Sequence, residues 1–192
     1  GATGPAGVFE ATNGFAQLFN DGRFEADAVA ALGRSWRLET PGIDVKRYPI
    51  CLSGQAAADG TREILDEHRL AVSAIERIDC EVPPLVASNL KYRLPTSAPE
   101  AQFSLNFAVA CMALFGDITL AHLERAVIED ERLRQLMARI DMTASKTWND
   151  DPVRARDCPE GAIVRVRTTD GRTFERYCGN ARGTVARPLR VI

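Results

Sequence analysis

The longest apolar pattern in the chain runs from Ser97 to Gly116, SAPEAQFSLNFAVACMALFG. Phe103, Phe107, Cys111 and Phe115 recur every fourth residue, and Leu105, Val109 and Met112 cover a second face. The spacing predicts a helix that is apolar nearly all round, and such a helix is a buried one. Ser97 and Glu100 have the spacing of a capping box, Pro99 fits a first turn, and Gly116 supplies the stop. A bilayer span needs about 20 apolar residues, and this run is shorter and interrupted by Asn106.

Around that segment the pattern alternates between short helices and strands. Val8, Phe9, Thr12, Phe15, Ala16 and Phe19 predict a loop feeding a short amphipathic helix, and Glu25 to Leu32 another, closed by Gly33. Trp36 to Thr40 and Ile43 to Cys51 read as extended, separated by a Pro41-Gly42 turn, with Pro49 ending the second. Ser53 is placed to cap a helix from about Gly54 to His68 that turns Ala56, Ala57, Ile64 and Leu65 inward. Ile78, Cys80 and Val82 alternate with Arg77, Asp79 and Glu81 as in a half-buried strand, and Pro83-Pro84 stops it before a short helical piece at Leu85 to Leu90. Thr119 and Asp130 cap two further helices, Leu120 to Val127 and one carrying Leu133, Leu136 and Met137, and Ile140 to Met142 opens a strand. Ser145 to Glu160 is polar, holds two prolines and predicts an exposed loop. Ala162 to Thr168, Asp170-Gly171 and Arg172 to Cys178 form the clearest hairpin. Strands at both ends of a helical middle predict an α+β fold: a small antiparallel or mixed sheet packed with helices around the buried central one.

Composition narrows the function. The 192 residues suit one ordinary domain or one domain with a fragment of another, and 45% hydrophobic residues are ample for a core. A net charge of −2 gives no whole-chain pull towards nucleic acid or a membrane surface, and neither partner is expected. Nine arginines between Arg154 and Arg190 make either a local anion-binding surface or, more commonly, a solvated strand face; no aromatic stacking ladder accompanies them. Five scattered cysteines, at 51, 80, 111, 158 and 178, form no close pair, so neither a zinc site nor a redox dithiol is indicated. With no signal peptide pattern, a reduced, cytoplasmic protein is expected. Gly1, Gly4 and Gly7 are a poor phosphate loop, since Pro5 sits among them and no Gly-Lys-Ser/Thr follows. His68 and His122 stand on helices without a metal-ligand neighbour, which makes them surface or capping residues; no GxSxG or HExxH motif occurs.

The bend before the Ser53 helix is the candidate site. It gathers Lys46, Tyr48, Cys51, Ser53 and Gln55 beside a helix N-terminus, where free N–H groups and the helix dipole favour an anion. The chain has only three lysines against twenty-one arginines. A lysine offers a compact charge to a carboxylate and can change protonation when desolvated. Cys51 is either a thiol acid/base activated by the helix start or an inert, packed thiol.

Four blocks, GATGPAGVFEATNGF, KRYPICLSGQAAADG, PTSAPEAQFSLNFAVACMALFGDITLAHLE and VRTTDGRTFERY before RGTVARPL, fall in the order and spacing of the C-terminal half of MmgE/PrpD proteins. The chain resembles that family, which includes 2-methylcitrate dehydratase, iminodisuccinate epimerase and cis-aconitate decarboxylase. The resemblance implies a two-domain subunit in which a large helical domain forms a homodimer and a smaller α+β domain closes over it. On this resemblance residues 1–32 are the end of the helical domain or a linker, residues 33–192 are the lid-like C-terminal domain, and most of the helical domain, with the His and Asp of the acid/base chemistry, lies outside the chain. The implied activity is that of a lyase, using no metal or organic cofactor, that abstracts a proton α to a carboxylate of a small polycarboxylate and loses water, as 2-methylcitrate dehydratase does. Epimerisation, decarboxylation, or a non-catalytic binding or assembly domain derived from the fold are the alternatives. Lys46 and Cys51 fall on the family's Lys and Cys-or-His places and are the catalytic candidates. Tyr48, Ser53, Gln55 and Arg93 are the candidate substrate contacts. Gly54-Gln55 replaces the family's Thr-His, which exchanges a proton carrier for an amide that only hydrogen-bonds, and Gln102 stands where many members carry Lys.

Overall fold

A computed structural model describes residues 3–4, 6–23, 25–34 and 36–189. Gly1 and Pro5 of the glycine-rich start, and Arg190 of the arginine-rich stretch, lie outside the described residues. The chain divides into two compact units, Gly1–Ile43 and Asp44–Ile192.

The first unit carries two short helices, α1 (Phe15–Asn20) and α2 (Ala26–Ala30). They fall where the apolar pattern places them; the second ends at a right-handed Ala31, and Gly33, two residues further on, takes the left-handed conformation (φ 81°). Trp36 to Thr40 is a turn rather than the expected strand: the amides of Glu39 and Thr40 both donate to the Trp36 carbonyl at 3.0 Å. The Phe15 ring meets Phe9 edge-on and Phe19 at a tilt, and Ala16 is buried.

The second unit is built on a four-stranded sheet. It contains α3 (Leu52–His68), β1 (Ile75–Val82), α4 (Pro84–Asn89), α5 (Ala98–Gln102), α6 (Leu105–Phe115), α7 (Arg125–Ile128), α8 (Glu131–Ala138), β2 (Ile140–Ala144), α9 (Pro152–Asp157), β3 (Ala162–Thr168) and β4 (Thr173–Cys178). The strand order is β2-β1-β3-β4, with β1 parallel to β2 and antiparallel to β3, so the sheet is mixed and the fold α+β as expected. Ile75 and Ile78 both face the core although an odd spacing should put them on opposite faces. A register shift between Ile75 and Arg77 supplies the extra residue that turns both inward. The β3-β4 hairpin closes at Gly171, whose φ of 85° suits glycine.

Two helices cover the inner face of the sheet: α3 lies on β3 and β4, while α6 lies on α3, α8 and β2. The run Ala56-Ala57-Ala58-Asp59-Gly60 lets α3 approach closely, since a Cβ at Gly60 would stand 3.1 Å from Val164. Every residue from Leu105 to Ala113 is buried. The central segment is not one helix, however. Ser104, not Ser97, is the effective cap: its hydroxyl accepts from the Phe107 amide at 3.0 Å, and it splits off α5. The expected capping box at Ser97 does not form, because Glu100 turns to the Thr96 amide (2.7 Å) and hydroxyl. Phe103 and Phe115 are left on the exposed side, while Gly116 ends α6 in the left-handed conformation.

Three further expectations are corrected. Residues 43–51 are not a strand: they join no ladder and the chain bends at residues 47–50, while Val45 makes a single backbone bond, to Gly183 (2.8 Å). The segment from Leu120 is a 3-10 turn capped by Thr119 and His122, then α7, broken at Glu124. Ser145 to Glu160 is not an exposed loop: it holds α9 and a turn around Trp148, which is fully buried and donates from Nε1 to the Cys158 carbonyl at 3.2 Å.

Candidate functional site

Residues 45–51 run along the start of α3, and nearly every one of them is tied down. Val45 donates its amide to Gly183 (2.8 Å) and Arg47 to Gln55 Oε1 (3.1 Å). The Tyr48 carbonyl accepts from Gln55 Nε2 (3.2 Å), the Pro49 carbonyl from Gln102 Nε2 (3.0 Å), and the Cys51 amide donates to the Gln102 carbonyl (2.8 Å). Two glutamines thus hold this bend from both sides, and Gln55, fully buried, spends both ends of its amide on main chain. Lys46 is the exception. Its side chain is exposed and makes no hydrogen bond or ion pair to a described residue. It borders an open groove of about 460 Å³ with Arg47, Pro49, Asp117, Thr119 and Leu120.

Cys51, not Ser53, is the N-cap of α3, and its thiol is half-buried against the core. Ser53 lies one place inside the helix, where its hydroxyl donates to Glu160 Oε1 (2.8 Å) and accepts from Asn89 Nδ2 (3.1 Å). Tyr48 is buried and its hydroxyl donates to Asp59 Oδ1 (2.9 Å). Burial, reinforced by the Asp59 carboxylate, pushes this phenol above its ordinary range, so it stays protonated. Cys51 and Ser53 thus stand at the start of α3 and Gln55 in its first turns, Tyr48 reaches Asp59 in the middle of the helix, and the Lys46 side chain borders a separate groove beside Asp117 and Thr119; Tyr48, Ser53 and Gln55 are engaged inside the protein. Arg93 is placed differently: it pairs with Asp141 on β2 at 2.7 Å, and Asp141 also meets Arg77 at 3.3 Å.

Sequence reasoning missed Asp59, Asn89 and Glu160. Glu160 and Asn89 reach Ser53 from far along the chain and carry no local pattern. Asp59 had a signal: a carboxylate inside Ala56-Ala57-Ala58-Asp59-Gly60 sits on the buried face of its helix, and a buried charge must be partnered. Among the described residues no group of three or more His, Cys, Asp or Glu is placed to hold a metal ion, and no helix is long and apolar enough to cross a membrane.

The unit at residues 44–192 is an α+β domain with a four-stranded mixed sheet, and comparison with known proteins gives it a family. The MmgE/PrpD C-terminal domain matches residues 48–191, and the chain belongs to the MmgE/PrpD family. Cis-aconitate decarboxylase of Homo sapiens is a distant relative, 27% identical over 114 residues, which is 56% of this chain and 23% of that protein. The match thus spans less than a quarter of that relative's length. The family includes lyases such as this one.

Proposed function

We propose that the chain is the substrate-anchoring part of an MmgE/PrpD lyase that removes water from a small, 2-methylcitrate-like polycarboxylate. Lys46 carries the reading: an unpaired ammonium stands on a bend whose neighbouring residues are each fixed by hydrogen bonds. Such a charge holds a substrate carboxylate without first having to be freed from an internal partner. In the dehydration a base takes the proton α to the carboxylate, the electron pair of the C–H bond moves towards that carboxylate, and the β-hydroxyl leaves with a proton as water as the double bond forms. A cation beside the carboxylate stabilises the charge as it develops. In this reading the base comes from the helical domain of the full-length protein, which also forms the homodimer, and no step is assigned to a metal or organic cofactor. Cys51 is the thiol nearest the anchored group in sequence. Tyr48, Ser53 and Gln55 shape the pocket through the internal bonds described above, and Arg93 serves as a second carboxylate anchor after leaving Asp141. A reduced, cytoplasmic setting belongs to the same reading and is supported by five free cysteines.

Decarboxylation is the second reading, supported by the cis-aconitate decarboxylase relative; epimerisation begins at the same carbanion stage. Incubating the full-length protein with 2-methylcitrate and with cis-aconitate separates them, by appearance of the unsaturated acid in the first case and release of carbon dioxide in the second. Lys46→Ala is expected to lower kcat/KM by about 100-fold or more, and an unchanged value removes Lys46 from the site. No reaction with either acid favours the non-catalytic binding domain, in which Gly54-Gln55 in place of Thr-His marks lost chemistry.

A further inference from the structure

The segment Ala181–Arg187 is fitted against the Lys46 bend at three levels. Outermost, the Val185 amide donates to Asp44 Oδ1 at 2.7 Å. Next, the Val45 amide donates to the Gly183 carbonyl at 2.8 Å, so closely that a Cβ at Gly183, with φ 101°, would run into the Val45 carbonyl oxygen. Innermost is Asp59, a carboxylate only 1% exposed in the middle of α3. One of its oxygens takes the Tyr48 hydroxyl at 2.9 Å, and the other takes the Arg182 amide at 2.7 Å. A turn later on the same helix, Glu63 accepts from the side chains of Arg182 and Arg187.

A buried carboxylate is costly unless hydrogen bonds replace its water, and an apolar residue would fill the same space at lower cost. What a carboxylate does here that an apolar residue does not is hold two separate segments at once. We infer that Asp59 is the positioning residue of the carboxylate-anchoring site: through the Tyr48 hydroxyl it fixes the bend that aims Lys46, and through the Arg182 amide it locks that bend to the C-terminal segment. The inference rests on the reading of Lys46 as a carboxylate anchor. Asp59 touches no substrate and acts through Tyr48 on the main chain two residues from Lys46.

The test is the affinity of the full-length protein for tricarballylate, a saturated tricarboxylate with no hydroxyl to lose, measured by titration calorimetry. Four proteins are compared: the unaltered protein, Asp59→Asn, Lys46→Ala, and the double variant. Asp59→Asn is expected to weaken binding about tenfold when Lys46 is present and less than about twofold when Lys46 is alanine, because an effect exerted through Lys46 disappears with it. Tyr48→Phe, which removes the hydroxyl but leaves Asp59 bonded to Arg182, should reproduce most of the loss if Asp59→Asn does not fold. Equal weakening in both Lys46 backgrounds makes Asp59 merely structural and overturns the inference, as does no weakening in either. If Lys46→Ala itself binds tricarballylate as well as the unaltered protein, the anchor reading falls first and takes the positioning role with it.

Discussion

Asn106 is the one polar side chain in the buried run Leu105 to Ala113, and its Nδ2 donates to two main-chain carbonyls, Met137 (3.0 Å) and Ile140 (2.7 Å). Those carbonyls are where α8 ends and β2 begins, so a single amide sets the angle between helix and strand. Replacing it with alanine removes two hydrogen bonds of about 1 kcal/mol each and leaves buried acceptors with less than their due, offset by about 0.6 kcal/mol of better helix propensity. The net expectation is a loss of about 2–3 kcal/mol, or a Tm lower by roughly 4–10 °C for a domain of this size. Equilibrium urea denaturation followed by circular dichroism reads the first, and a thermal scan the second. Asn106→Asp sharpens the test by presenting a carboxylate to two carbonyl oxygens. Burial there raises the acid's folded pKa above its unfolded value of about 3.9, so the folded state binds the extra proton and stability falls as pH rises towards the folded pKa. The deficit of the Asp variant should therefore widen between about pH 5 and pH 8. An alanine variant within about 0.5 kcal/mol of the unaltered protein, or an Asp deficit that is flat with pH, refutes the role given to this amide.

Other perturbations test separate parts of the structure. Trp148→Ala, at a fully buried indole, should cost about 3–5 kcal/mol in urea denaturation, whereas an exposed-loop tryptophan would cost almost nothing. Gly183→Ala forces a left-handed residue against the Val45 carbonyl and should destabilise by at least about 1 kcal/mol, with Val185→Ala beside it nearly neutral. Burial pushes the thiols of Cys80, Cys111 and Cys178 up to about 12. Iodoacetamide at mildly alkaline pH should then modify the half-buried Cys51 and Cys158 first, as peptide mapping will show; equal labelling of all five would contradict the core.

The elements legible in the sequence are those whose signals are local. The β3-β4 hairpin announced itself by alternation around Asp170-Gly171, β1 by Ile78, Cys80 and Val82, and the end of α6 by Gly116. What the local pattern does not show depends on competition or on distant partners. Ser97 and Ser104 are equally good caps by composition, and only packing selects Ser104. Residues 43–51 have the residue types of a strand but find Gln55 and Gln102 instead of a neighbouring ladder. Trp148 lies in a polar stretch that looks solvated until Cys158 and Arg154 close around the ring. For the candidate site, the helix after the bend is legible, but its cap falls at Cys51 and not at Ser53. Asp59, Asn89 and Glu160 could not be paired with their partners, because hydrogen bonds across dozens of residues leave no spacing to recognise.

The parallel pairing of β1 with β2 means that the entire helical middle of the chain is a crossover between two neighbouring strands, and β1 waits longer still for its antiparallel partner β3. β1, an interior strand, is therefore synthesised first and has to wait for both of its partners. As the chain leaves the ribosome, β1 presents Ile78, Cys80 and Val82 with neither edge paired until α4 to α8 have collapsed and β2 has arrived. High contact order of this kind slows folding and leaves a sticky edge exposed meanwhile. A chain cut before Ala162 would keep that edge open for good, so truncations on that side should accumulate as aggregates, whereas the β3-β4 hairpin, all local contacts, pairs quickly once its residues emerge.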